Sequence, residues 1–112
     1  MKFKTEERYN AVIIIFDGDT LTGDETAEFN LLLHKLLDEG KKNIIFDVSI
    51  VKYVNSTGVG LLVGGYTTVK NAGGTVKLVG AQERIQSLLV ITKLAGVFEM
   101  YETIDDAVKS LS

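Results

Sequence analysis

The sequence contains no cysteine. A disulfide framework, a thiol nucleophile and a cysteine-based zinc site are therefore excluded. His34 is the single histidine, so no multi-histidine metal centre can form within one chain. Proline is also absent, which leaves glycine to punctuate the chain. No apolar run reaches the roughly 18 residues needed to span a bilayer, and the opening MKFKTEERYN lacks the apolar stretch of a signal peptide. Excess positive charge is missing too: 12 Lys and Arg stand against 15 Asp and Glu. Nucleic-acid binding, which draws its affinity from cationic contacts to phosphates, is not expected. Neither a G-x-S-x-G elbow nor a G-x-x-x-x-G-K-[ST] loop occurs. What is present is an ordinary globular composition, 46% hydrophobic and 24% charged over 112 residues, which suits one cytosolic domain spanning 1–112. No catalytic residue, metal or cofactor is expected of it.

The hydrophobic pattern predicts an α/β order. KFKTEER (2–8) alternates like a strand with one wet face, and AVIIIF (11–16) is a β-branched run suited to burial on both faces. The YN between them predicts a tight hairpin. DGDTLTGD (17–24) reads as a polar loop, with Asp24 or Thr22 capping the helix after it. From Thr26 the period lengthens: Phe29, Leu32, Leu33, Leu36 and Leu37 form one helical stripe, closed by Gly40. NIIFDV (43–48) is a second buried strand. Val59, Leu62, Val63, Tyr66 and Val69 then fit a helix, although Gly64 and Gly65 would equally suit a hairpin between VGLLV and YTTV. The helix is preferred, because a hairpin would require four consecutive strands from Asn43 to Val79. NAGG (71–74) is its stop. TVKLVG (75–80) is a strand, Ile85, Leu88, Leu89 and Thr92 mark a helix closed by Gly96, and VFEMY (97–101) is a short strand. Thr103, with Asp106 three residues on, opens a last helix striped by Ile104, Ala107, Val108 and Leu111. This β-β-α-β-α-β-α-β-α order implies a mainly parallel sheet of four to five strands, an N-terminal hairpin and about four helices.

Several constellations have chemistry to test. GVGLLVG (58–64) opens a helix after a strand, but its G-x-G-x-x-x-G spacing is one residue longer than a dinucleotide fingerprint. Asp17, Asp19 and Glu28 fall at three calcium-loop positions, while Leu21 and the displaced glycine break the pattern. His34 belongs on a polar helix flank with no nucleophile nearby in sequence. That leaves Asn55-Ser56-Thr57-Gly58. Each of its three polar residues is a good helix cap, yet one cap suffices. A spare hydroxyl at the positive end of a helix is suited to carry a phosphate. With Ser56 as the cap, Thr57 would sit in the first turn with its hydroxyl free.

The stretch IIFDVSIVKYVNSTGVGLLVGGYTTVKNAGGTVKLVG resembles the STAS domain, the fold of bacterial anti-sigma factor antagonists. The family pattern is an apolar strand ending D-[LV]-S, a spacer, then D-S-[ST]-G-[LV]-G opening a helix that ends near G-G. The matching residues are Asp47-Val48-Ser49, Asn55-Ser56-Thr57-Gly58-Val59-Gly60 and Gly73-Gly74. TAEFNLLL resembles the family's first helix, and LLVITKLAGVFEMYETIDDAV its last helix, strand and helix. The resemblance implies a binding module rather than an enzyme. Its expected partners are an anti-sigma factor that is also a serine/threonine kinase, and a protein phosphatase that resets the switch. It implies phosphorylation of the second motif hydroxyl, Thr57, with Ser56 the alternative. A partner face is expected over Asp19, Asp24, Asn55, Ser56, Thr57, Gly58 and Val59, on a monomer that neither enters a membrane nor binds nucleic acid. Two departures stand out. Asn55 replaces the motif's acid, and the 17–26 loop is about two residues longer than usual, so its acid is Asp19 or Asp24. The neutral Asn55 also fits a second role, a STAS scaffold without a switch in a stressosome-like or lipid-transport complex.

Overall fold

In the computed structural model, which describes residues 1–111, the two N-terminal runs form the expected hairpin. β1 (Lys2–Arg8) and β2 (Ala11–Asp17) pair antiparallel from Lys2↔Asp17 to Arg8↔Ala11. Tyr9, in the two-residue turn, takes a positive φ of 48°. A two-residue strand, β3 (Thr20–Leu21), and a single 3-10 turn at Gly23–Glu25 precede helix α1 (Thr26–Asp38). Then come β4 (Asn43–Asp47), the two-residue β5 (Tyr53–Val54), α2 (Ser56–Asn71), β6 (Thr75–Val79), α3 (Glu83–Ile91), β7 (Glu99–Tyr101) and α4 (Ile104–Lys109). The main sheet has the order β1-β2-β4-β6-β7, and every pairing after the first is parallel.

The parallel strands step in one direction across the sheet. Right-handed crossovers therefore put their connecting helices on one face. Val12, Ile14, Phe16, Ile44, Phe46, Val76 and Leu78 point to that face and meet α1, α2 and α3. Ile13, Ile45 and Val79, one residue out of phase, point to the other face. There α4, which comes after the last strand and needs no crossover, covers them through Ala107. The alternation explains why these strands read as unbroken apolar runs: both faces are buried. Under α1 and α2, Phe3, Phe16, Phe29 and Phe46 form an aromatic cluster with ring centroids 5.1–5.8 Å apart. Such ring pairs add about 0.5–1.5 kcal/mol each beyond their buried area.

The helix reading of residues 56–71 holds, and the glycine pair has a packing reason. A Cβ on Gly65 would lie 2.6 Å from Phe29 Cε2, so only glycine lets α2 approach the cluster this closely. Gly64 faces open space. Gly40 and Gly73, both with φ near +80°, end α1 and α2 as expected. Thr103 caps α4 by accepting from the Asp106 amide.

Three expectations need correction. Helix α3 is stopped by Lys93, whose φ is 62°, with Leu94 N bonded back to Leu89 O, and Gly96 lies beyond that turn. The last strand begins at Glu99, since Val97 is bonded to Leu94 O in a turn. The parallel pairing of β3 with β5 puts one short strand in the 17–24 segment read as loop and the other in the spacer before Asn55. Among the described residues, no helix is long and apolar enough to cross a membrane.

Candidate functional site

The motif lies beyond the carboxyl ends of β2 and β4, where two loops leave the parallel strands side by side. Parallel sheets expose their loops for function at this end. The first loop runs from Gly18 to the 3-10 turn, the second from Val48 to Asn55. They are zipped together by backbone. Lys52 N and Tyr53 N both donate to Asp19 O, at 2.8 and 2.9 Å. β3 then pairs with β5, Thr20↔Tyr53 and Leu21↔Val54. Leu21, fully buried, anchors this small sheet to the core. Asn55 N donates to Leu21 O at 3.3 Å.

The second loop is also held from below. Asp47, at the end of β4, is nearly buried and accepts a 3.0 Å bond from Ser49 N. Gln82 donates to Ser49 O at 2.9 Å. Gly80, with φ +74°, presses so closely on Ser49 that a Cβ would lie 2.5 Å from the serine Cβ. The half-exposed Tyr53 ring carries the Arg84 guanidinium 4.8 Å from its centroid. The aspartate of the D-V-S stretch is thus a turn-former that sets the loop's path.

At the start of α2 the expected roles of the polar residues change places. The cap is Asn55, in extended geometry, with Oδ1 accepting from Gly58 N at 2.8 Å. Ser56 is the first helical residue instead. The Thr57 hydroxyl is not free. It donates to Asn55 Oδ1 at 2.7 Å and accepts from Gly23 N at 3.0 Å. Ser56 is exposed, and its hydroxyl has no partner among the described residues. Sequence reasoning missed the Gly23–Thr57 bond because it joins residues 34 apart, and no local pattern announces it.

Of the expected partner face, Asp19, Asp24, Asn55, Ser56 and Thr57 are exposed. Asp24 is the neighbour of the Gly23 amide that meets Thr57, while Asp19 sits where the loop joins Lys52 and Tyr53. Gly58 and Val59, also expected on that face, are buried in the free chain. Gly58 serves it from beneath: a Cβ there would lie 2.4 Å from Leu21 O, so glycine is what allows the first loop to cross the helix start. The 3-10 turn is capped by Thr22, which accepts from Asp24 N at 3.2 Å, and tied to α1 by Thr26 Oγ1 donating to Gly23 O at 2.6 Å. The calcium-loop acids have other work or none in common, Asp17 being paired with Lys4 at 3.1 Å. His34 is exposed on α1, as its spacing predicts.

The site is therefore an exposed surface holding one uncommitted hydroxyl at a helix N-terminus, beside a loop with two surface carboxylates. It offers no nucleophile–base pair. Known proteins share this arrangement of elements. The family model described as STAS domain matches residues 2–107. A Thermotoga neapolitana protein whose assigned name is anti-sigma factor antagonist, a TM1081 homolog, is 30% identical over 101 residues, covering 89% of each chain. The solved structure of TM1081 matches with a TM-score of 0.84 at 22% identity, over 97% of this chain and 87% of that one. The Bacillus cell fate determinant SpoIIAA in its phosphorylated form matches with a TM-score of 0.75 at 18% identity, over 99% and 100%.

Proposed function

Because the chain belongs to the STAS domain family, we propose that it works as an anti-sigma factor antagonist, a binding module switched by phosphorylation of Ser56. Its partner is an anti-sigma factor with serine/threonine kinase activity, and a protein phosphatase returns it to the binding state. The chain acts as a monomer. One observation carries the choice of acceptor: Ser56 presents a free hydroxyl at the N-terminus of α2, whereas that of Thr57 is engaged on both sides.

The physics of the switch comes from the position. A phosphate on Ser56 brings about −1.5 to −2 charges. The helix N-terminus favours that charge by about 0.3–1 kcal/mol, so the fold is kept. A partner closed over the same spot would bury the charge unpaired, at about 2–5 kcal/mol. At about 1.4 kcal/mol per decade, the upper half of that range weakens binding 100-fold or more. Phosphorylation thus acts on the interface. The match to a relative solved in the phosphorylated form supports a fold that tolerates the group.

Phosphopeptide mapping of the native protein, together with ATP labelling by the co-purified kinase, tests this reading. Label should sit on Ser56, vanish in Ser56→Ala and persist in Thr57→Ser. Label retained by Ser56→Ala would overturn the assignment. The neutral Asn55 favours a second reading, the unswitched scaffold. It is selected if no phosphate is found and the chain runs in large homo-oligomers.

A further inference from the structure

The conspicuous feature of the site that phosphorylation leaves unused is the second hydroxyl. We infer that Thr57 is a positioning residue: its hydroxyl latches the 18–25 loop across the start of α2 and holds the loop's carboxylates in one surface with Ser56. Four observations support the latch. Thr57 Oγ1 lies at the end of the zipper formed by Asp19 O, the β3–β5 pairing and Leu21 O, and closes it with the 3.0 Å bond from Gly23 N. The same oxygen donates its one proton to Asn55 Oδ1, which fixes its lone pairs toward Gly23. Asn55 Oδ1 in turn holds Gly58 N, so loop, cap and helix share one chain of hydrogen bonds. Contact is also close: a Cβ at Gly23 would lie 2.9 Å from Thr57 Cβ, leaving no room for a methyl group, much less a phosphate, between the two.

The latch makes neighbouring hydroxyls unequal. In the closed state the Thr57 hydroxyl is engaged by Gly23 N and Asn55 Oδ1, while that of Ser56 is free among the described residues. This consequence for the acceptor rests on the proposed function, but the latch itself does not.

Amide hydrogen exchange on the 15N-labelled full chain tests it, comparing wild type with Thr57→Val, Thr57→Ser and Gly23→Ala. Thr57→Val keeps the shape and removes the hydroxyl. Protection of the residue-23 amide should fall about fivefold or more, the scale of one net hydrogen bond. Thr57→Ser should restore it. Gly23→Ala should open the loop from the other side and lower protection at Asp24 as well. Amides in the middle of α2, such as Val63, should stay at wild-type protection in all variants that fold. Wild-type protection in Thr57→Val would overturn the latch, and so would equal losses in Thr57→Ser and Thr57→Val, since the methyl rather than the hydroxyl would then be at work. Should Thr57→Val fail to fold, Gly23→Ala decides alone: full protection at residues 23 and 24 sinks the inference. A confirmed latch with no phosphate on Ser56 in cells would leave the inference standing and remove the proposed function.

Discussion

At Asn55 a single oxygen, Oδ1, receives two hydrogen bonds, from Gly58 N and from the Thr57 hydroxyl. Asn55→Ala removes both and leaves the helix start uncapped, at an expected cost of about 1–2 kcal/mol read from urea midpoints. Asn55→Asp keeps the acceptor and adds a charge that the helix end favours, so stability should shift by less than about 1 kcal/mol. Phosphorylation rate and partner affinity should shift more, because the residue adjoins the exposed Ser56. A large stability change with level binding would make Asn55 a structural cap alone. Sequence reading stops short at this scale. Asn, Ser and Thr in a row announced a capped helix, and the helix is there. Which of the three caps it depends on a one-residue choice of helix start, and that choice is set by Leu21 and Gly23 from a distant loop. Local pattern carries no information about it.

Adjacent glycines in α2 allow a paired test at the scale of the element. Gly64→Ala places a methyl in open space and should stabilise by about 0.5–1 kcal/mol, since glycine costs that much in a helix interior. Gly65→Ala drives its methyl into Phe29 and should destabilise by about 1–3 kcal/mol. Thermal melts of the two variants should move in opposite directions, and a common direction would contradict the packing described. The sequence raised a hairpin at this pair because glycine reports only permissiveness. The reason for Gly65, an aromatic ring from another element, is not local. Strands β6 and β7 hold a second test. Lys77, nearly buried on β6, pairs with Glu99 on β7. Its hydrogen bond, helped by one from Tyr101, holds the Glu99 carboxyl below the usual carboxylate range. A lowered folded value means that the pairing stabilises fully above the ordinary carboxylate pKa and is lost as pH falls through the folded one. Glu99→Gln should therefore lower the denaturation midpoint at pH 7, and the gap to wild type should close toward acid pH. A gap independent of pH would assign the loss to packing. Sequence alternation placed Lys77 inside a strand but gave no partner, because pairing across strands is fixed only by register.

For the whole molecule, strand and helix order was legible because both periods are strong here: β-branched runs buried on two faces and a leucine stripe on α1. The parallel arrangement came from alternation. Elements too short to repeat a period, β3, β5 and the 3-10 turn, were not legible, and they are the ones that assemble the site. Helix α2 is held closely at three points along its buried side. Gly65 abuts Phe29, Gly58 abuts Leu21 O, and past its end Gly74 abuts Lys42 O, each at a spacing that would not admit a methyl. These three contacts oppose a slide of the helix along its axis, and α4 packs on the opposite face of the sheet, so a charge added at the exposed Ser56 is expected to leave α4 in place. Since the chain has no cysteine, Asp106→Cys on exposed α4 gives a unique handle there for a fluorophore. Phosphorylation at Ser56 should leave the emission of that dye unchanged, and the dye should leave partner affinity within about twofold of wild type, well under the 1.4 kcal/mol that marks a decade. The protein can then be watched from behind while it is read from the front.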